Sequence, residues 1–145
     1  MRVCLDTNIL VYAEGFGDSR RCDEARELIK QLADGDVVVA AQVLGELAQV
    51  LSRKAKRDPE MVREAVLSWA DAYEVLDSTW HGFQAAFDLT VDHKLSLWDA
   101  LILAVAAENH CRILLSEDLH SGFTWRGVTV VNPFEEPRSK LMSFL

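Results

Sequence analysis

Long apolar runs are missing from this sequence. The longest, such as ALILAVAA at Ala100 to Ala107, fall well short of the roughly 18–20 residues that cross a bilayer. No charged leader with a cleavage site precedes them, so a soluble, cytoplasmic protein that makes no use of a membrane is expected. Cysteine is sparse and unpaired in pattern: Cys4, Cys22 and Cys111 are odd in number and far apart. That argues against a disulfide framework and against zinc, which would want short paired spacings. Histidine offers no substitute, because His81, His93, His110 and His120 show no ligand spacing. Positive charge is in deficit, with 15 Lys and Arg against 23 Asp and Glu and a formal charge of −8. The surface as a whole therefore repels polyanions, which argues against a basic groove-binder. Two local basic runs, Arg20, Arg21, Arg26 with Lys30 and Arg53, Lys54, Lys56 with Arg57, leave room for local attraction to phosphate; as single residues they read as solvated helix ends and faces. Repeats, low-complexity linkers and composition breaks are absent too, so residues 1–145 are read as one domain, with a tail from about Pro133 that is loosely packed.

What is present is an alternation of short apolar runs with long helical patterns. RVCL is followed by a helix near Ser19 to Ala33, and VVVA by helices from about Gln42 to Ala55 and Pro59 to Tyr73. EVL precedes a helix over Ser78 to Asp92, and RILL and VTVV close the series. This is the rhythm of an α/β domain with a mostly parallel sheet. Asp58 before Pro59, Ser78 and Ser96 stand where helix N-caps are expected. In such a sheet, the loops leaving the carboxyl ends of the strands gather on one edge, and ligands bind there.

Four acids fall near that edge. Asp6 directly follows RVCL, and Asp118 follows RILL in the segment RILLSEDLHSG. Each, taken alone, also reads as a turn or cap residue. Glu46 lies on the helix after VVVA, in a polar stripe with Gln42, Gln49 and Arg53 opposite an apolar stripe of Val43, Leu44, Leu47, Val50 and Leu51. Asp99 is the most informative. It sits in the first turn of SLWDALILAVAAE, a segment apolar nearly all round, and although Ser96 and Asp99 form an imperfect capping box, capping does not explain an acid at the mouth of the most buried helix. Four ionised carboxylates gathered within about 5 Å would repel by roughly 3 kcal/mol per pair at an effective dielectric near 20. A hard divalent cation with oxygen ligands, Mg²⁺ or Mn²⁺, is the natural compensator.

The segments DTNILVY, QVLGEL, LSLWDALILAVA, LLSEDL and VVNPF occur in this order along nearly the whole chain. In this the chain resembles PIN-domain nucleases, and among them the VapC toxins of toxin–antitoxin pairs. The resemblance implies a PIN-like three-layer α/β/α fold around a central mostly parallel sheet. It also implies a Mg²⁺- or Mn²⁺-dependent endoribonuclease that hydrolyses RNA by metal-activated water, leaving 5′-phosphate and 3′-hydroxyl ends. By motif, Asp6, Glu46, Asp99 and Asp118 are the acidic site, with Asp6 and Asp99 as direct ligands and Glu46 and Asp118 acting directly or through water. Thr7, Asn8 and Ser116 would support them, and Glu117 would be a further outer ligand. A homodimer and a VapB-like antitoxin that inserts a basic side chain into the site are implied as partners. One departure is Ala40, where the family often has a hydroxyl residue ahead of the QVL segment, which affects the posture of Glu46.

Other readings are less well matched. An aspartyl-phosphate phosphatase of the haloacid dehalogenase type wants a second Asp where Asn8 stands. A PIN-fold nuclease acting on DNA or in RNA processing shares the same chemistry, and a catalytically silent PIN binding module would keep the fold without needing the acids. The aromatic residues Trp69, Trp80, Trp98, Trp125, Phe83 and Phe87 read mainly as core, with a partner surface as the alternative.

Overall fold

The apolar runs become strands, and the central ones bury their side chains on both faces, which is what a parallel sheet between helices requires. The computed structural model describes residues 1–145. Strand β1 (Arg2–Leu5) leads into α1 (Thr7–Ala13) and α2 (Ser19–Gln31), and β2 (Asp36–Ala40) into α3 (Ala41–Arg53) and α4 (Pro59–Ala72). Strand β3 (Glu74–Leu76) is followed by α5 (Trp80–His93) and α6 (Leu97–Glu108), and β4 (Ile113–Leu115) by the hairpin β5 (Thr124–Trp125) and β6 (Val128–Val131). The six strands lie in the order β3-β2-β1-β4-β6-β5. All pairs are parallel except β5 with β6, which confirms the expected mostly parallel α/β/α arrangement.

The strand order fixes where the helices go. From β1 the chain steps outward to β2 and then β3, so right-handed crossovers place α1 to α4 on one face. The return from β3 to β4 runs the opposite way, which puts α5 and α6 on the other face. The packing follows: α1 meets α2 and α3, α3 meets α4, and α5 meets α6. Helix α6 is the most enclosed, with every residue from Ala100 to Ala106 buried. Its start is fixed by Ser96, whose Oγ accepts the Asp99 N–H at 3.3 Å.

Two expected helix starts differ in detail. Thr79 rather than Ser78 caps α5, accepting the Gly82 N–H at 2.9 Å. Asp58 occupies the N-cap of α4 with Pro59 in the first turn, yet its side chain makes no capping bond. Beyond β6, Phe134 is buried and meets the Tyr12 ring edge-on at 5.6 Å. A short 3-10 helix over Lys140–Phe144 follows, and Leu141 and Met142 rest on the core.

Candidate active site

β1 and β4 are neighbours from which the chain moves on in opposite directions across the sheet, towards β2 and towards β6, so a crevice opens at their carboxyl ends. Asp6 sits in it. Its N–H continues the strand ladder to the Leu115 carbonyl at 3.0 Å. One carboxylate oxygen, Oδ1, accepts the Thr7 N–H at 2.7 Å, which caps α1, and Oδ2 accepts the Ser116 hydroxyl at 2.6 Å. Ser116, fully buried, also accepts the N–H groups of Asp118 and Leu119, both at 3.2 Å. A single hydroxyl thus ties the end of β1 to the turn after β4.

Asp6 is only 3 % exposed and has no cationic partner among the ion pairs of the chain. Burial pushes its pKa up to about 6; the bonds from Ser116 and Thr7 oppose that shift, and the nearby charges of Asp118 and Asp99 add to it. Asp118 is raised in the same direction, first by burial and then by Asp99 and Glu117. Its two oxygens accept the Asn8 amide at 2.9 Å each. From the other side of the crevice, Glu46 on α3 accepts the Thr7 hydroxyl at 2.8 Å and the Gln42 amide at 2.6 Å. Ala40 provides no side-chain cap for α3, and Thr7 and Gln42 hold Glu46 in its place. No protein donor engages the Asp99 carboxylate, whose backbone alone is bound by Ser96.

These residues border a cleft of about 560 Å³ lined by Thr7, Asn8, Gln42, Glu46, Trp98 and Asp118. Glu46 and Asp118 line this opening, and Asp6 and Asp99 lie near enough for their charges to act on Asp118 or on each other, but the acids do not meet at one point: no three His, Cys, Asp or Glu side chains close into a group able to hold a metal ion. The tight convergence expected from the sequence is therefore relaxed. The physical reason is that each acid except Asp99 is drawn to its own donor, namely Ser116, Thr7, Gln42 or Asn8, while like charges push the set apart. The donor chemistry nonetheless suits Mg²⁺ or Mn²⁺. Every reachable group is oxygen-based, one carboxylate is buried without compensation, another is unclaimed, and the amide oxygen of Gln42 is buried without a hydrogen-bond partner.

Glu117 is engaged elsewhere. Its carboxylate accepts the Tyr12 hydroxyl at 2.6 Å and Arg21 Nε at 2.8 Å, and Arg21 also lies over the Phe134 ring at 5.0 Å. Burial, followed by the bond to Glu117, pushes the Tyr12 hydroxyl up to about 12. Gln42 and Trp98 did not stand out in the sequence as site residues. Gln42 carried one signal, its place one helical turn before Glu46 on the same stripe; Trp98 carried only its position beside Asp99.

The PIN domain family matches residues 3–121, most of the chain and every segment above except VVNPF. The chain belongs to the PIN domain family. No curated protein sequence matches it. Solved structures do. This PIN domain is similar to a toxin–antitoxin complex from Klebsiella pneumoniae at 20 % identity, with a TM-score of 0.68 over 92 % of this chain and 98 % of that one. It is similar to VapC20 of Mycobacterium tuberculosis, described as a sarcin-ricin loop cleaving toxin, at 20 % identity and a TM-score of 0.63 over 80 % of this chain and 89 % of that one. VapBC2 from Rickettsia felis, bound to a promoter DNA fragment, matches at 20 % identity and a TM-score of 0.64 over 81 % and 89 %. At these identities the likeness is one of fold.

Proposed function

We propose that this PIN domain is a Mg²⁺- or Mn²⁺-dependent endoribonuclease of the VapC toxin type, with Asp6, Glu46, Asp99 and Asp118 as its acidic site. The observation that carries the reading is Asp6, a buried carboxylate at the switch point of the sheet, with further acids around it and no protein cation to neutralise it. Asp6 and Asp99 would hold the ion directly, and Glu46 and Asp118 directly or through water. A divalent ion bound there supplies Lewis acidity to water and to the phosphate. The chain does the rest. Ser116 and the Thr7 N–H fix the orientation of Asp6, Thr7 and Gln42 aim Glu46 into the cleft, and Asn8 restrains Asp118. A carboxylate of the set that does not hold the ion directly is suited to accept the proton of an attacking water.

The fold likeness to toxins of toxin–antitoxin complexes supports a small antitoxin as the partner that restrains the activity, and exposed apolar side chains on α5 support a homodimer. No helix is long and apolar enough to cross a membrane, in keeping with a cytoplasmic location. The test incubates antitoxin-free protein with total RNA and with DNA, in Mn²⁺, Mg²⁺ or EDTA, beside Asp6→Asn and Asp99→Asn. Metal-dependent RNA cleavage lost in both variants is expected. Equal cleavage by all three proteins overturns the assignment, cleavage of DNA alone moves it to the DNA nuclease, and failure of Mn²⁺ to raise the Tm of the wild type favours the silent module.

A further inference from the structure

Trp98 is 56 % exposed at the N-terminus of the most deeply buried helix. It lines the same cleft as Thr7, Asn8, Glu46 and Asp118 and immediately precedes Asp99. An exposed tryptophan there is a cost to a free protein, and this one is held in place. Its carbonyl accepts the Gln42 amide at 3.0 Å, and its ring meets Phe83 edge to face at 6.3 Å and 82°. A T-shaped contact covers at most one of the two indole faces. Beyond Phe83 the aromatic ridge continues along α5 through Phe87 to the exposed Trp80, with ring centres 6.4 and 6.3 Å apart.

We propose that Trp98 is a stacking platform for an unpaired base next to the scissile phosphate, so that the substrate is read as single-stranded or loop RNA. The inference rests on the ribonuclease reading above and adds to it the part of the substrate that the acids do not hold. A cleft lined by the carboxylates Glu46 and Asp118, with Asp6 and Asp99 nearby, on a chain of charge −8 offers a polyanion little electrostatic affinity. Stacking on an aromatic face does not depend on charge, accepts any base and needs the base to be out of a helix. Gln49, exposed in the same cleft, supplies a neutral amide for a base edge. Trp98 would act as a positioning residue rather than a catalytic one.

The test measures metal-dependent cleavage of short single-stranded RNAs by wild type, W98A, W98F and W80A. Stacking contributes about 1–3 kcal/mol per base. KM for W98A is therefore expected to rise at least about fivefold while kcat falls far less, with W98F restoring much of the loss and W80A, outside the cleft, changing KM by less than about twofold. A scan with abasic substitutions should find one nucleotide whose removal raises KM for wild type and has no further effect on W98A. Unchanged KM in W98A, or abasic effects that add to it at every position, overturns the proposal. If W98A and W80A alike convert a dimer to a monomer by sedimentation, with no coupling to any base, the ridge is a self-association surface and the proposal fails. If wild type cleaves no RNA, the ribonuclease reading fails first. The Mn²⁺-induced rise in Tm should be the same in W98A as in wild type, which separates the two failures.

Discussion

Helix α1 carries a carboxylate at each end, and the two are treated in opposite ways. At its C-terminus Glu14 accepts Arg57 Nη1 at 2.6 Å and the Trp69 indole N–H at 3.0 Å, and Arg57 also donates to the Glu14 carbonyl at 2.7 Å. That cluster neutralises the charge and pins the α3–α4 connection to α1. At its N-terminus Asp6 is more deeply buried and receives only neutral donors, Ser116 and the Thr7 N–H, with further acids nearby. A buried acid with its own guanidinium is structural support. A buried acid without one is a standing cost, which under the proposed function a divalent cation would offset. Glu117, held by Arg21 and Tyr12, belongs with Glu14 in this respect despite its place beside Asp118.

The widest separation between the two ends should be in activity. Asp6→Asn is expected to lower RNA cleavage by at least about 100-fold, since a direct metal ligand should matter more than the outer groups whose loss costs about 10- to 100-fold. Glu14→Gln should leave kcat/KM within about threefold. A large loss of cleavage in a folded Glu14→Gln protein would erase the distinction.

Stability should show the reverse order, and pH should expose it. The folded-state pKa of Asp6 is raised from 3.8 to about 6. In EDTA this group therefore favours the fold when protonated, and that contribution is lost as pH rises through about 6. The rise of roughly two units corresponds to about 3 kcal/mol as an order of magnitude. Asp6→Asn should accordingly equal or exceed the wild-type Tm in EDTA at pH 8 and lose that relative advantage near pH 5. Glu14→Gln should be less stable than wild type at pH 8 by about 1–3 kcal/mol, because it leaves the partly buried Arg57 without its charge partner. Thermal melts of both variants across pH measure the two effects. An Asp6→Asn protein less stable than wild type by the same amount at both pH values would contradict the uncompensated-charge account.

The smallest effect tunes Asp6 without removing it. Ser116→Ala deletes the 2.6 Å bond that opposes the upward shift, so the pH below which Mn²⁺ affinity falls should move upwards, with affinity at pH 7.5 weakened by roughly tenfold. Calorimetric titration at several pH values reads this directly. An unchanged pH dependence would mean that Ser116 serves only to tie the turn after β4 through Asp118 and Leu119.

Much of the architecture was legible because it depends on local pattern. Val37 to Ala40 and Ile113 to Leu115 are continuous apolar runs that fit a sheet covered on both faces, and the apolar stripe Val43, Leu44, Leu47, Val50 and Leu51 predicted the inner side of α3, with Val50 only half-buried. The positions of Asp6 and Asp118 just past strand ends were likewise visible. Thr79 displacing Ser78 as a cap was not, since either hydroxyl satisfies the local rule and packing chooses between them. The diversion of Glu117 was also hidden: Arg21 lies 96 residues away in the chain, and no periodicity links the two.

By itself, then, the sequence determined the alternation of strands and helices, the parallel sheet, and which acids stand near its carboxyl edge, because hydrophobic period and turn chemistry act over a few residues. The tertiary structure decided which acids remain uncompensated. The strand order placed β1 beside β4, brought Ser116 to Asp6 and Gln42 to Trp98, and sent Arg57 and Arg21 to Glu14 and Glu117. The charge state of an acid depends on what surrounds it in three dimensions, and burial and partners from distant parts of the chain exist only once the chain has folded.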